Sequence, residues 1–271
     1  MLPLVAVSLT VLASGSKGNC SVVASTSTRL LIDVGLSCRE ICRRLTLGGF
    51  TPDSIDGVLI THEHADHVSG LYVFAKKYSV PVYMTEATHR AWTRQYKDSN
   101  GERVKAKRVE TFHSGQRFNV GDIEVTPFTI PHDAVDPVGF TFRAEGIKLG
   151  YVTDLGYMPS SIKLHLKGCD GILLESNHDV EMLRVGPYPW AVKQRVMSRV
   201  GHLSNDALAE FLSTDYDGNA AFLILAHLSE ANNHPEIART VAERALAERL
   251  TLLQNRVILA RQDEPLATVT L

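Results

Sequence analysis

The chain has 271 residues, 44% of them hydrophobic and 21% charged, a balance that supports a sizeable core in one domain or two small ones and excludes disordered and fibrous classes. The formal net charge of -2 is unevenly spread: from Lys76 to Arg117 there are ten Lys/Arg against four Asp/Glu, a local +6 that leaves -8 for the rest. Such a segment suits a polyanion-binding face, and equally a solvated helix and loop.

In chain order, Leu2 to Ala13 is apolar enough to imitate a signal peptide, but no Lys or Arg precedes Lys17 and the alternation Val5, Val7, Leu9, Val11 fits a strand over residues 4–12. A second strand at 20–24 and a third at 29–33 follow the loop Ser14-Gly15-Ser16-Lys17-Gly18-Asn19. Gly and Asn are what a tight turn demands, and the same amides, with Lys17 nearby, could cradle phosphate. Asp33 ends the third strand, and Ser37 to Leu45 reads as a helix stopping near Gly48-Gly49.

The segment Val58-Leu59-Ile60-Thr61-His62-Glu63-His64-Ala65-Asp66-His67 is a buried strand that stops at three histidines and an aspartate within six positions. Extended backbone sends side chains at i and i+2 to one side, so His62 and His64 can face one metal ion. A helix starting near Asp66 would point Asp66 and His67 from its open first turn at a neighbouring ion. Imidazole with carboxylate suits zinc, manganese or iron.

Beyond it, helices are expected over Leu71 to Tyr78 and Thr85 to Gln95, with a strand at Val80 to Met84 between them. His89 has no partner in sequence and is read as structural. A strand pair turning at Gly121-Asp122 runs into Ile130-Pro131-His132, where Pro131 exposes His132 at the strand tip. A strand at Lys148 to Val152 delivers Asp154, which could bridge two cations or cap a helix. Glu175-Ser176-Asn177-His178-Asp179 follows another buried strand, Pro189 to Arg199 reads as a helix before Gly201-His202-Leu203-Ser204-Asn205, and Ser204 caps a helix over 205–213. A strand over Asn219 to Ala226 delivers His227; His234 and Pro235 open a helix through Leu250, before strands at Val257 to Ala260 and Ala267 to Leu271. No repeats or low-complexity tracts stand out. Cys20, Cys38, Cys42 and Cys169 form no CxxC pair, and no stretch is long and apolar enough to span a membrane. A cytoplasmic protein is expected.

His62-x-His64-x-Asp66-His67 after a hydrophobic strand resembles the signature of the metallo-β-lactamase superfamily; its diiron redox branch typically has Glu where this chain has His64, which argues for the hydrolytic branches. The blocks Ser14 to Asn19, Glu175 to Asp179, Gly201 to Asn205 and His227-Leu228-Ser229-Glu230-Ala231-Asn232-Asn233 are, in that order, similar to the YycJ/WalJ-type branch, and they echo the tRNA 3′-processing nucleases. The extra nucleic-acid arm or second domain of other nuclease branches is not evident. This resemblance implies an α/β fold, a four-layer αββα sandwich of two mixed sheets in a single domain over residues 1–271. It also implies two divalent metal ions, one held by His62, His64 and His132, the other by Asp66, His67 and His227, with Asp154 between them and Asp33 orienting ligands without ligating.

For the branch, that site implies a hydrolase working as a 5′-to-3′ exonuclease on DNA, with a metal-activated bridging water as nucleophile. Asp66 could orient or deprotonate the water. His202 would protonate the leaving oxygen while Glu175 holds its proton, although a histidine after Gly201 at a helix end also has structural uses. His178 and His234 could line the same cleft. The +6 segment agrees with non-specific phosphate contacts to DNA. Alternatives are a hydrolase of small phosphodiesters, thioesters or other esters, and a metal-stabilised protein without turnover.

Overall fold

The computed structural model describes residues 7–247 and 256–271, so the expected start of the first strand at 4–6 and the end of the last long helix at 248–250 lie outside the described residues. Strands β1 (Ser8–Ala13), β2 (Cys20–Ala24) and β3 (Arg29–Ile32) form an antiparallel meander. The chain then alternates α1 (Cys38–Leu47), β4 (Gly57–Leu59), α2 (Ala65–Val68), α3 (Leu71–Tyr78), β5 (Val82–Thr85), α4 (Glu86–Gln95) and β6 (Val109–Phe112), with β3 to β6 paired in parallel. The second half repeats the scheme. Antiparallel β7 (Phe118–Val120), β8 (Ile123–Thr129), β9 (Val138–Ala144) and β10 (Ile147–Val152) lead into α5 (Ser160–Leu166), β11 (Gly171–Glu175), α6 (Val180–Val185), α7 (Trp190–Val196), α8 (Asn205–Thr214), β12 (Phe222–Ala226), α9 (Pro235–Ala247) and β13 (Arg256–Leu259), with β10 to β13 parallel. The short β14 (Val269–Thr270) returns to pair with β1, giving two seven-stranded sheets ordered β14-β1-β2-β3-β4-β5-β6 and β13-β12-β11-β10-β9-β8-β7.

Strand periodicity explains the layering. In β3, Leu30 and Ile32 enter the core between the sheets, where they meet Phe140, Phe142 and Tyr151 of the second sheet. Leu31, between them, packs outward with Ile41 and Leu45 of α1 and Phe74 of α3. On the other flank, Leu208, Phe211 and Leu212 of α8 and Ala238 and Ala242 of α9 cover Ile172, Leu174, Leu223 and Leu225. The inner parallel strands β3, β4, β11 and β12 are therefore buried on both faces, which is why they read as nearly unbroken apolar runs. Helix, sheet, sheet, helix is the αββα order expected, with the two sheets mixed.

The sequence shows no repeat, yet the topology does. Asp33-Val34-Gly35 after β3 and Asp154-Leu155-Gly156 after β10 occupy corresponding places, and both aspartates have φ +58°. A Cβ on Gly35 would sit 1.7 Å from the carbonyl oxygen of Asp66, and one on Gly156 2.3 Å from that of Arg199. These glycines let two other segments approach the strand ends. The helical expectations hold for α1, α3, α4 and α8, whereas α5 and α6 were not foreseen and α7 is shorter than Pro189 to Arg199.

Gly35→Ala is expected to destabilise by about 3 kcal/mol or more through forced separation of two backbones. Gly49→Ala, at φ +83° with open space around it, should cost only the ~1 kcal/mol of left-handed backbone. Urea midpoints of the two variants compare them; equal losses would show that the close approach at Gly35 carries no special weight.

Candidate metal centre

The polar residues singled out in sequence converge because they follow strand ends on one edge of both sheets. Asp33 follows β3, His62 to His67 follow β4, His132 follows β8, Asp154 follows β10, Glu175 ends β11 and His227 follows β12. Asp33, Asp154 and His227 all adopt left-handed backbone, at φ +58°, +58° and +55°. Such a conformation costs a non-glycine residue about 1–2 kcal/mol, and hydrogen bonding around the turns offsets it. Asp33 N–H donates to the Leu59 carbonyl at 2.8 Å, and His227 N–H donates to Ser14 Oγ at 2.8 Å.

One group comprises His62, His64 and His132, with a nitrogen of each within 4.8 Å of the others. Two outer nitrogens are held: His62 Nδ1 lies 3.0 Å from Thr61 Oγ1, and His132 Nδ1 donates to the Gly201 carbonyl at 3.1 Å. The inner ones converge. His62 Nε2 is buried without a hydrogen-bond partner, and His132 Nε2 lies 3.3 Å from His64 Nδ1. Burial and the neighbouring His67 push the His62 pKa well down, which favours the neutral ring, the form that can give a lone pair to a cation. Converging imidazole nitrogens around an unpartnered acceptor are suited to a cation.

The second group is Asp66, His67, Asp154 and His227. Asp33 accepts from His67 Nδ1 at 2.8 Å, leaving His67 Nε2 3.3 Å from Asp154 Oδ2 and 3.5 Å from Asp66 Oδ2. His227 Nε2 lies 3.5 Å from both Asp66 Oδ2 and Asp154 Oδ1. Asp154 also approaches His132 Nε2 at 3.9 Å, so it stands between the groups, and its buried Oδ2 has no hydrogen-bond partner. Burial disfavours charge on His67 and His227, yet the carboxylates outweigh it and raise both pKa values well above the ordinary histidine range. Protons here balance negative charge that divalent cations would balance better, and the donor set fits them.

Glu175 links this group to a third feature. Its Oε1 accepts from His202 Nδ1 at 2.8 Å and lies 3.1 Å from His227 Nδ1, while Oε2 accepts from the backbone of Leu155 at 2.6 Å and Leu203 at 3.0 Å. Although burial opposes ionisation, the two histidines hold Glu175 at about 2. Burial likewise lowers the His202 pKa, and Glu175 more than restores it. His202 is thus a partly exposed imidazole held by a buried carboxylate beside the ligand groups.

Other expectations fare differently. The Ser14 to Asn19 loop is a turn and not a phosphate cradle: the amides of Ser14, Gly15, Lys17, Gly18 and Asn19 all donate to protein acceptors, and Lys17 Nζ pairs with Glu230 at 2.6 Å. Its work is to support the centre. Asn19 Nδ2 lies 3.1 Å from His67 Nε2 and 3.3 Å from Asp66 Oδ2. Thr61, Ser14 and Asn19 were not assigned to the site from sequence, because their contacts bridge distant segments. His178 is buried against Asn177, with its pKa lowered to about 4 by that burial, and so does not line an open cleft. His234 instead lines a separate cavity of ≈ 430 Å³ with Ser229, Glu230 and Gln262.

Comparison with known proteins gives the same picture. The family model described as a β-lactamase superfamily domain matches residues 28–227. Exodeoxyribonuclease YycJ of Bacillus anthracis is 38% identical over 239 residues, covering 88% of this chain and 89% of its own. Exodeoxyribonuclease WalJ of Streptococcus pneumoniae is 36% identical over 238 residues, covering 88% and 87%. The chain belongs to the metallo-β-lactamase superfamily, in the YycJ/WalJ family. The crystal structure of the metallo-β-lactamase fold protein YhfI from Bacillus subtilis superposes with a TM-score of 0.70 at 16% identity, over 97% of this chain and 99% of that one, which establishes the shared fold. This chain presents His/Asp clusters suited to metal ions.

The Asp33 carboxylate fixes the tautomer and direction of His67, so Asp33→Ala is expected to weaken divalent-metal binding about 10- to 100-fold. Competition against a chromogenic chelator measures this, and unchanged affinity would mean that His67 needs no such partner.

Proposed function

We propose that the chain is a dinuclear-metal-dependent phosphodiesterase that degrades DNA as a 5′-to-3′ exonuclease in the cytoplasm. The observation that carries this is the pair of adjoining ligand groups around Asp154 in a chain 36% and 38% identical, over most of its length, to proteins named exodeoxyribonucleases. His62, His64 and His132 would hold one ion of zinc, manganese or iron, and Asp66, His67 and His227 the other, with Asp154 facing both. Bound there, two dications supply Lewis acidity toward a phosphoryl oxygen and a water acidic enough to attack phosphorus at neutral pH.

The remaining chemistry belongs to side chains. Asp66, half-buried and 3.5 Å from both His67 and His227, orients the attacking water and can take its proton. His202, whose Nδ1–H is committed to Glu175, has Nε2 as its other nitrogen, and from there it protonates the departing sugar oxygen. Glu175 never needs to accept that proton. Its two further backbone donors stabilise it as an anion, so it keeps the ring oriented and cationic.

The basic segment supports a polyanionic substrate. All ten of its Lys/Arg are exposed, and Arg90 and Arg94 flank a cavity of ≈ 440 Å³ that reaches Val135, three residues after His132. Sequence-independent phosphate contacts there give affinity that falls steeply with salt. All four cysteines are unpaired thiols, which agrees with a reducing compartment.

With metal supplied, Asp154→Ala should lose stepwise cleavage of end-labelled DNA. His202→Ala should retain metal and lower kcat by about 10²- to 10⁴-fold, the usual worth of a positioned proton donor. The test follows products by length on 5′- and 3′-labelled strands while salt is varied. Cleavage of a small phosphodiester or thioester without any action on DNA would replace this reading by that of a small-ester hydrolase.

A further inference from the structure

Five of the ten exposed large hydrophobic side chains among the described residues fall between Val185 and Val200: Val185, Trp190, Val192, Met197 and Val200. Val185 is 85% exposed and Trp190 64%. Scattered singly, such residues need no explanation, but here five of them concentrate apolar exposure on one short segment. The segment carries four Lys/Arg against one Asp/Glu from Val180 to Val200, and Arg184, Arg195 and Arg199 are exposed. The Arg199 guanidinium lies 4.0 Å over the Tyr157 ring.

This surface is tied to the candidate centre at several points. The His202 N–H donates to the Val196 carbonyl at 2.9 Å. The Gly201 carbonyl holds His132, and Arg195 pairs with Asp133, the neighbour of His132. Trp190 opens α7 and Val196 ends it, so their Cα atoms are about 9 Å apart at 1.5 Å per helical residue. An indole near the proton-donating side of a phosphodiesterase site, set among arginines, matches a nucleic-acid strand better than a second protein copy. Bases offer π-faces to the apolar residues and phosphates offer charge to the arginines.

We propose that Trp190, on the Val185 to Val200 segment, is a stacking platform for a base of single-stranded DNA threaded toward His202. This rests on the nuclease reading and extends it by naming the form of DNA engaged near the cleavage point. Affinity from this platform comes from stacking and does not depend on base identity, whereas the Lys76 to Arg117 face contributes the salt-sensitive part.

The two tryptophans make the test direct, because Trp92 is only 1% exposed and emission accessible to a ligand therefore reports Trp190. Metal-replete protein is titrated with a cleavage-resistant phosphorothioate oligothymidylate. The expected result is quenching that is absent in Trp190→Ala, with KM for single-stranded DNA raised about five- to tenfold in that variant and restored to within about twofold in Trp190→Phe. Leu164→Ala, which removes an exposed side chain on α5, serves as the surface control and should match the wild type. Saturating oligonucleotide without quenching, or an unchanged KM in Trp190→Ala, overturns the proposal. So does light scattering showing a dimer that Trp190→Ala dissolves, since the face would then belong to a second copy. Quenching by DNA that the wild type fails to cleave would remove the nuclease reading while leaving the platform standing.

Discussion

A concentration of buried, ionisable groups that the protein cannot fully neutralise by itself governs the rest of this structure. Asp33, Asp154 and Glu175 are buried carboxylates, and His62, His67, His132 and His227 are buried imidazoles around them. Taking such charges out of water costs several kcal/mol each unless partners compensate. Many of the surrounding atoms have protein partners, while two inner atoms, His62 Nε2 and Asp154 Oδ2, have no hydrogen-bond partner. An apolar core would be more stable. The arrangement makes sense as a cage whose last partners are cations.

Building that cage requires backbone strain that other segments must hold in place. The left-handed turns at Asp33, Asp154 and His227 would relax if nothing over-determined them. Segments remote in sequence do so. Ser14 takes the His227 amide, Asn19 reaches His67 and Asp66, and Gly201 orients His132. The glycines at 35 and 156 follow from the same requirement, since the supporting backbones come too close for a side chain.

The contrast between legible and hidden residues has this physical origin. The ligand run His62 to His67 is visible in sequence because strand period and an exposed helix start bring near neighbours together. The buried strands are visible because they are continuous apolar runs, whereas the αββα layering is implied by the resemblance to a known superfamily. His132, Asp154 and His227 are single polar residues at strand ends; without the resemblance to a known superfamily each had a plain structural alternative. Thr61, Asn19 and Ser14 could not be found at all, since each acts on residues remote in sequence: Thr61 on Asp33, Asn19 on Asp66 and His67, and Ser14 on His227. The topological repeat escaped for a related reason: just a few positions, such as Asp33-Val34-Gly35 and Asp154-Leu155-Gly156, need to match for two halves to share a scheme. Short helices such as α5 and α6 lacked the length for a periodic signal.

The division of labour between the two sheets has a consequence for how metal and fold are coupled. The first sheet supplies His62, His64, Asp66 and His67, and the second supplies His132, Asp154 and His227. The apolar interlayer of Leu30, Ile32, Phe140, Phe142 and Tyr151 joins the same two sheets without using any ligand. The fold is therefore held by burial, and cations bound at the candidate centre would clamp only one edge of it. Binding there adds stability by mass action, by RT ln(1 + [L]/Kd), and does not create the structure as it would in a zinc finger. The cage is pre-organised because hydrophobic packing already sustains its strain.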